Sequence, residues 1–243
     1  MELGKDSWMD MANRLRNGGP SAVLARFALM LAGNAALADL LEHAANSDKD
    51  SLTHIRNRGA LEEDIKELLL SPESGALIVI DLVNFGQVNN QRGQSGGDKL
   101  LQIIAEGLTR VTSRRRNDII YTQHSRTEPS QQYEEGYRVG GDEFVALLKN
   151  GDSLKNADIV AITHTKLRQI LEDPAVTEFL TSENDDPDKV ISLFGIRAGA
   201  CIIDANKHAS YADVQSDADP KLGTVCEYQL RLVDGTYELV CTI

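Results

Sequence analysis

Runs of apolar residues along the chain predict several strands. Residues 76–80 are five consecutive apolar residues rich in β-branched types, which is typical of a strand buried on both faces. Asp81 follows directly, and we expect it at the point where that strand emerges from the sheet. A second apolar run over 144–148 predicts another strand, and further strands are predicted over 118–121 and 190–203.

Apolar positions spaced three and four residues apart predict helices between these strands. The spacing predicts helices over 60–70 and 157–171. A third helix is expected after the polar, glycine-rich connection 89–98, and its apolar positions are Leu100, Leu101, Ile104, Leu108 and Val111. Because helices and strands interleave in this order, the predicted fold is α+β, a palm-like sheet with helices on its faces.

The first 47 residues predict a small helical segment ahead of a domain over 48–243. The stretch 22–41 imitates a signal peptide, but its apolar core is short, and Arg26 and Asp39 interrupt it. Apolar residues at helical spacing favour helix faces instead, so neither secretion nor a membrane span is expected. We expect this segment to serve dimerisation or regulation.

Charge and cysteine content narrow the classes of partner. With 25 Lys and Arg against 37 Asp and Glu in 243 residues, the net charge is −12. No basic block and no interleaving of aromatic and basic residues occurs, which disfavours nucleic-acid polymers and anionic membrane surfaces as partners. Cys201, Cys226 and Cys241 lack metal-ligand spacing and predict free thiols in a reducing compartment, so we expect a cytoplasmic protein.

The residues with the most specific chemistry are Gly140, Gly141, Asp142 and Glu143. Adjacent glycines before a strand predict a tight hairpin turn, because glycine tolerates positive φ and leaves room for a bulky group against the backbone. Carboxylates are the hard oxygen ligands that Mg²⁺ prefers, and Asp81 at its strand end is suited to the same kind of site. Taken alone, the glycine pair and its acids also fit an ordinary hairpin with solvated side chains.

Together these segments resemble the GGDEF family of diguanylate cyclases. The family pattern D-x-D-x-F-K-x-x-N-D-x-x-G-H-x-x-G-D lies over residues 81–98 without a gap and matches at Asp81, Phe85, Asn89, Gly93, Gly97 and Asp98. Residues 50–58 resemble the D-x-L-T-G-L-x-N-R element that opens this domain, and Arg138 precedes the glycine pair. The resemblance covers residues 48–205 and implies a bacterial signalling enzyme.

The implied reaction condenses two GTP into cyclic di-GMP with release of two pyrophosphates, across a homodimer whose two-fold symmetry mirrors that of the product. Two Mg²⁺ or Mn²⁺ ions would activate the attacking 3′-hydroxyl and neutralise phosphate charge. By resemblance, the metal ligands are Asp81, the Leu82 carbonyl, Asp142 and Glu143. Of these, Asp142 and Glu143 would be the catalytic acids.

The resemblance also assigns the substrate contacts. Backbone N–H groups near Phe85 and Gly86 would hold the terminal phosphates, with Gly140 and Gly141 against the nucleotide. Asn89 and Asp98 would read the base, because guanine presents a ring N–H and an exocyclic amine that one carboxylate can accept together. The alternative for Asp98 is a helix-start acid favoured by the helix dipole.

An R-x-x-D pair, Arg115 and Asp118, would bind cyclic di-GMP as a feedback inhibitor in the family. Here the polar stretch 122–136, expected to be an inserted surface loop, separates that pair from the hairpin. The alternative interpretation of the Arg115 and Asp118 pair is a basic helix end, where arginines interact favourably with the helix dipole.

Several positions depart from the family pattern. Gly86 replaces a lysine, Gln94 replaces a histidine, and Cys226 falls where a phosphate-binding lysine belongs. Lys221 and Arg231 are the nearest candidate replacements for that cation. The alternative function is therefore a catalytically degenerate GGDEF domain that binds GTP or cyclic di-GMP as a sensor or scaffold.

Overall fold

The computed structural model describes residues 47–72, 74–117, 133–150, 155–182 and 190–243. The chain divides into two compact units, Met1–Lys49 and Asp50–Ile243, and the description below concerns the second. The predicted helical segment over 1–47 lies outside the described residues except for residue 47. The predicted strand over 118–121 and residues 122–132 of the predicted insertion also lie outside the described residues.

The described part of the second unit contains seven strands and five helices. In chain order they are β1 (Arg56–Asn57), α1 (Arg58–Leu70), β2 (Ser74–Val83), α2 (Phe85–Asn117), β3 (Tyr133–Arg138), β4 (Glu143–Asn150), α3 (Asn156–Leu171), α4 (Pro174–Thr181), β5 (Leu193–Ile203), α5 (Tyr211–Ala218), β6 (Cys226–Val233) and β7 (Thr236–Cys241). The helices predicted over 60–70 and 157–171 are confirmed as α1 and α3. The strands predicted over 144–148 and 190–203 are confirmed as β4 and β5.

All seven strands form one sheet in the order β1-β3-β4-β2-β5-β6-β7. β1 and β3 run parallel, and every other neighbouring pair is antiparallel. β2 lies at the centre, and its residues 75–82 are all buried, as its continuous apolar run predicts. With helices on both faces, the architecture is the predicted mixed α and β sheet.

Side chains of β2 alternate between the two faces of the sheet. Ala76, Ile78 and Ile80 belong to the core cluster built with α2 and α3. Leu77 and Val79 belong to the cluster on the opposite face, built with α1 and α5. Asp81 continues this second series, so its side chain leaves the sheet on the side of α1 and α5.

Three boundary predictions were wrong. The connection expected over 89–98 is helical, because α2 begins at Phe85 and is interrupted only at Gly93, whose φ of +70° breaks the helix. β2 continues to Val83, so Asp81 lies inside the strand rather than at its end. Residues 133–136, expected within a loop, form the first part of β3 and pair with β4.

Five elements were not predicted, namely β1, α4, α5, β6 and β7. The β6–β7 hairpin turns at Asp234 and Gly235, which both have positive φ, of 48° and 83°. An Asp-Gly pair is a strong hairpin signal, so this turn was available in the sequence. Within the described ranges, no helix combines the length and apolarity that crossing a membrane requires.

Candidate functional site

The β3–β4 hairpin closes through two backbone contacts to the Glu143 carbonyl, from the Val139 N–H at 3.0 Å and the Gly140 N–H at 3.4 Å. Neither Gly140 nor Gly141 uses positive φ, which among the described glycines occurs only at Gly93 and Gly235. The other expected reason for glycine was room for a bulky group against the backbone. Gly141 meets it, because an added Cβ there would have no atom within 4 Å. The hairpin therefore leaves the predicted open space beside its backbone.

Arg138 ties this hairpin to the start of the domain. Its Nη2 donates to the Gly141 carbonyl at 2.8 Å, and its Nη1 donates to Asp50 Oδ1 at 2.9 Å. Asp50 Oδ1 also accepts from the backbone N–H and the hydroxyl of Thr53. Burial raises the pKa of the Asp50 carboxyl, but the hydrogen bonds from Thr53 and Arg138 outweigh burial and hold that pKa below its ordinary value. Two motifs far apart in sequence thus form one polar unit.

The acids predicted to share a site do meet in the sheet. Asp81 of β2 pairs in register with Glu143 of β4, so the two residues stand directly opposite each other. Side chains at such positions lie on the same face with Cβ atoms about 4.5–5.5 Å apart. Asp142, the residue before Glu143, lies in the turn that carries the hairpin. The register of β2 and β4 therefore brings Asp81 and Glu143 together, and Asp142 precedes Glu143 along the chain.

Arg197, which the sequence analysis missed, faces Asp81 from the other neighbouring strand. It pairs with Asp81 in the β2–β5 register, and its Nε donates to Asp81 Oδ2 at 2.8 Å. Its Nη2 donates to the same oxygen, and Asp81 is only 6 % exposed. Arg197 is the one charged residue of β5, and a lone cation in an apolar strand was the signal that could have identified it.

Lys221 supplies a second cation. Its Nζ lies 3.4 Å from Glu143 Oε1, and this hydrogen bond, with the charges of Asp81 and Glu143, raises the pKa of the Lys221 ammonium. Gly199 of β5 makes this placement possible, because an added Cβ there would stand 2.2 Å from the Ala218 carbonyl oxygen. Arg231, the other candidate cation, hydrogen-bonds to Gln229 on its own strand.

A cavity lies beside α2 and the β3–β4 hairpin. Its volume of about 590 Å³ is within the range of small-ligand sites. Its lining comes from both halves of α2 and from the hairpin: Phe85, Asn89, Gln94, Asp98, Leu101, Arg138, Gly141 and Asp142. Five residues predicted for the site are therefore brought together. Gln94, Leu101 and Arg138 are additional lining residues.

The other predicted site residues lie elsewhere on the same elements. Asp81 and Glu143 stand on the adjoining strands, and Gly140 packs against the Glu143 side chain. Leu82 is buried and pairs in register with Ile196, and Gly86 is exposed on the first turn of α2. Of the predicted inhibitory pair, Asp118 and the side chain of Arg115 lie outside the described residues.

Gly97 holds the two halves of α2 close enough to form this cavity. An added Cβ at Gly97 would lie 1.9 Å from Asn89 Oδ1 and 3.2 Å from Phe85 Cζ. Asp98 is the fifth residue after the break at Gly93 and so lies beyond the first helical turn, where the dipole acts most strongly. This position weakens the interpretation of Asp98 as a helix-start acid.

Among the described residues, the carboxylates beside the hairpin are the candidate ligands for a divalent cation. No group of three His, Cys, Asp or Glu side chains in the described ranges is arranged to hold a metal ion. Both bonds from Arg197 end on Asp81 Oδ2, which leaves Oδ1 outside that contact. Among the described residues no side chain pairs with the Asp142 carboxylate, so Asp81 Oδ1 and Asp142 are the oxygens best suited to an ion.

Comparisons with known proteins relate the chain to one family. The profile of the family described as "Diguanylate cyclase, GGDEF domain" matches residues 47–125. The probable diguanylate cyclase DgcE of Escherichia coli (strain K12) is 28% identical over 181 residues, which are 72% of this chain and 13% of that protein. The uncharacterized protein YtrP of Bacillus subtilis (strain 168) is 28% identical over 127 residues, which are 52% of this chain and 18% of that protein. The chain thus spans a small part of both relatives.

Two solved structures from Caulobacter crescentus share the fold. The coiled coil and GGDEF domain of DgcB in complex with c-di-GMP superposes with a TM-score of 0.56 at 21% identity, covering 83% of this chain and 95% of that one. The GGDEF domain of DgcB alone, also in complex with c-di-GMP, gives a TM-score of 0.51 at 18% identity, covering 72% and 91%. At these identities the likeness concerns the architecture of the domain.

Proposed function

We propose that the chain is a diguanylate cyclase that binds GTP and condenses two molecules into cyclic di-GMP, a proposal that the match of the GGDEF profile to residues 47–125 supports. The observation that carries this proposal is the shared cavity: Asn89 and Asp98 stand on one wall and Gly141 and Asp142 on another. The residues proposed to bind guanine and the acid proposed to bind metal thus border the same cavity. An ordinary hairpin with solvated acids does not require a cavity shared with Asn89 and Asp98.

In the proposed complex the guanine lies against the middle of α2. Asp98 accepts the ring N–H and the exocyclic amine, and the Asn89 amide bonds to the purine. The apolar side chains of Phe85 and Leu101 line the same cavity and shield these polar contacts from water. The triphosphate then extends towards the hairpin, where Gly141 leaves the backbone open.

The proposed reaction forms a bond between a 3′-oxygen and an α-phosphorus and breaks the bond from that phosphorus to the departing pyrophosphate. Glu143 accepts the proton of the attacking hydroxyl, and Lys221 holds this carboxylate beside the reacting groups. Asp81, Asp142 and the Leu82 carbonyl would hold Mg²⁺ or Mn²⁺, which would supply further neutralisation of phosphate charge. Arg197 and Lys221 add the positive charge of the chain itself.

The proposal assigns one nucleotide to the cavity beside α2 in each domain, whereas the product joins two nucleotides. Two copies must therefore meet face to face, and an isologous two-fold contact provides the symmetry of the product. We further propose a cytoplasmic location, because GTP is an intracellular substrate and the three cysteines are free thiols.

A second candidate function is binding of GTP or cyclic di-GMP without turnover. The ion pair between Arg197 and Asp81 favours it, because this acid is then partly neutralised by the chain itself. A sensor needs the base-reading wall of the cavity and not the acids of the hairpin.

Incubation of the purified full chain with GTP and Mg²⁺, with products identified by mass spectrometry, separates the two candidates. We expect cyclic di-GMP from the unaltered protein and none from Asp142→Asn. Glu106→Gln, an exposed change on α2, serves as the control that keeps activity. Binding of GTP or cyclic di-GMP without any synthesis would favour the sensor, and failure to bind either nucleotide would refute both functions.

A further inference from the structure

The acid at the centre of the site already has a cation bound to it. Asp81 stands between Glu143 on β4 and Arg197 on β5, in register with both. Two guanidinium nitrogens of Arg197 donate to the same Asp81 oxygen, Oδ2. Asp81 is almost wholly buried, with 9 % of its side chain exposed, so this ion pair is a built part of the sheet.

We propose that Arg197 takes the place of one of the two divalent cations, so that the site binds a single metal ion together with the nucleotide. This inference rests on the proposed function, because it concerns the charge that surrounds bound GTP. It goes beyond it by assigning a role to a residue outside the family motifs. Arg197 acts here as a positioning and charge-compensating residue.

The hydrogen bonds between Arg197 and Asp81 support the replacement of one metal ion by Arg197. A carboxylate that bridges two ions must offer one oxygen to each, and Asp81 offers Oδ2 to Arg197. The remaining oxygen can serve one ion. The Arg197 guanidinium stays protonated at every pH that the protein tolerates. Its positive charge therefore remains beside Asp81 Oδ2 when a metal ion competes for that oxygen.

The balance of charge supports it independently. The cluster contains three carboxylates, Asp81, Asp142 and Glu143, and two cations, Arg197 and Lys221. The net charge of these five side chains is therefore −1. One divalent ion makes the site positive, as a bound polyphosphate requires. A second ion at the Oδ2 position would lie within a few ångströms of the guanidinium, where repulsion between cations is strong.

An ion pair that only joins β2 to β5 predicts a different result. In that case Arg197 would affect folding stability and leave the number of bound ions unchanged. Metal stoichiometry therefore distinguishes the proposed role from a purely structural one.

The test counts Mn²⁺ ions bound to the full chain by electron paramagnetic resonance, in the presence of a GTP analogue with a methylene group between the α- and β-phosphorus. We expect one Mn²⁺ per bound nucleotide in the unaltered protein. Arg197→Ser should bind a second Mn²⁺ at least about tenfold more tightly than the unaltered protein does. Arg197→Lys, which keeps the charge, and Arg231→Ser, which removes an exposed arginine from the same sheet, should each bind one.

Two ions bound to the unaltered protein would overturn the inference, and this measurement does not depend on whether Arg197→Ser folds. One ion bound to a folded Arg197→Ser variant would also overturn it. Melting curves establish folding: the variant should gain more thermal stability from Mn²⁺ than the unaltered protein, because metal replaces the lost partner of Asp81. Failure of the analogue to bind at all would refute the proposed function and this inference together, whereas nucleotide binding with two ions would refute the inference alone.

Discussion

Replacing Asp98 with alanine tests whether the cavity recognises guanine. The carboxylate lines the cavity wall beside Phe85 and Leu101, and it is half-buried. If it accepts two hydrogen bonds from the base, the substitution removes a bidentate, charge-assisted contact and leaves the cavity shape otherwise intact. We therefore expect a specific loss of affinity for guanine nucleotides.

The size of the loss follows from the environment of Asp98. Hydrogen bonds to a charged group contribute about 1.5–3 kcal/mol each at most, and a bidentate base contact contributes about 1–3 kcal/mol of discrimination. Because the apolar neighbours limit competition from water, we expect a value in the middle of this range, about 2 kcal/mol, or roughly 30-fold in Kd. Glu106→Ala, on the same helix with a side chain 67% exposed, should leave affinity within about twofold.

The assay is calorimetric titration with GTP, ITP and ATP in the presence of Mg²⁺. ITP keeps the ring N–H of guanine and lacks the exocyclic amine, so the unaltered protein should prefer GTP over ITP by several-fold. Asp98→Ala should bind GTP and ITP nearly equally, because the group that distinguishes them is gone. An unchanged preference for GTP in this variant, shown by circular dichroism to be folded, would refute the assignment of Asp98.

Three further predictions concern the framework of the site. Gly97→Ala places a Cβ 1.9 Å from Asn89 Oδ1, so Asn89 must rotate away, and the Kd for GTP should rise by roughly tenfold while ATP binding changes little. Gly199→Ala meets the Ala218 carbonyl at 2.2 Å, which cannot yield as a side chain can, and urea unfolding should show a loss of about 1–3 kcal/mol; an unchanged midpoint would contradict the close approach. Asp50 has a lowered pKa in the fold, so its ionised form stabilises the protein above the ordinary value of 3.8, and that contribution disappears as pH falls through the folded pKa. The cost of Asp50→Ala, about 1–2 kcal/mol at pH 6, should therefore shrink at pH 3, and equal costs at both pH values would contradict this reasoning.

The family motifs predicted five of the eight residues that line the cavity. Phe85, Asn89 and Asp98 match the family pattern in order, although they lie on the two halves of α2 that the break at Gly93 separates, and the glycine pair precedes an apolar strand. Their convergence on one cavity depends on the hairpin packing beside α2. No local pattern determines that packing, so the resemblance carried the prediction.

Local patterns also determined most of the secondary structure. Continuous apolar runs produced β2 and β4, and apolar positions at helical spacing produced α1 and α3. These patterns are strong because burial of one face, or of both, requires a fixed period of apolar residues. The glycine-rich stretch 89–98 is helical despite its composition, because helix propensity is a weak signal that packing of Asn89 against Gly97 overrides here.

Only the tertiary structure decided what surrounds the acids. Arg197 lies 116 positions from Asp81 and Lys221 lies 78 positions from Glu143, and no local pattern links residues at such separations. Their contacts arise from strand register: β5 pairs with β2 so that Arg197 stands opposite Asp81, and Gly199 admits the segment that carries Lys221. Register depends on the fit of whole strands and on the burial of their shared face, which is a property of the folded sheet. The sequence thus specified which acids the site contains, and the sheet specified which cations compensate them.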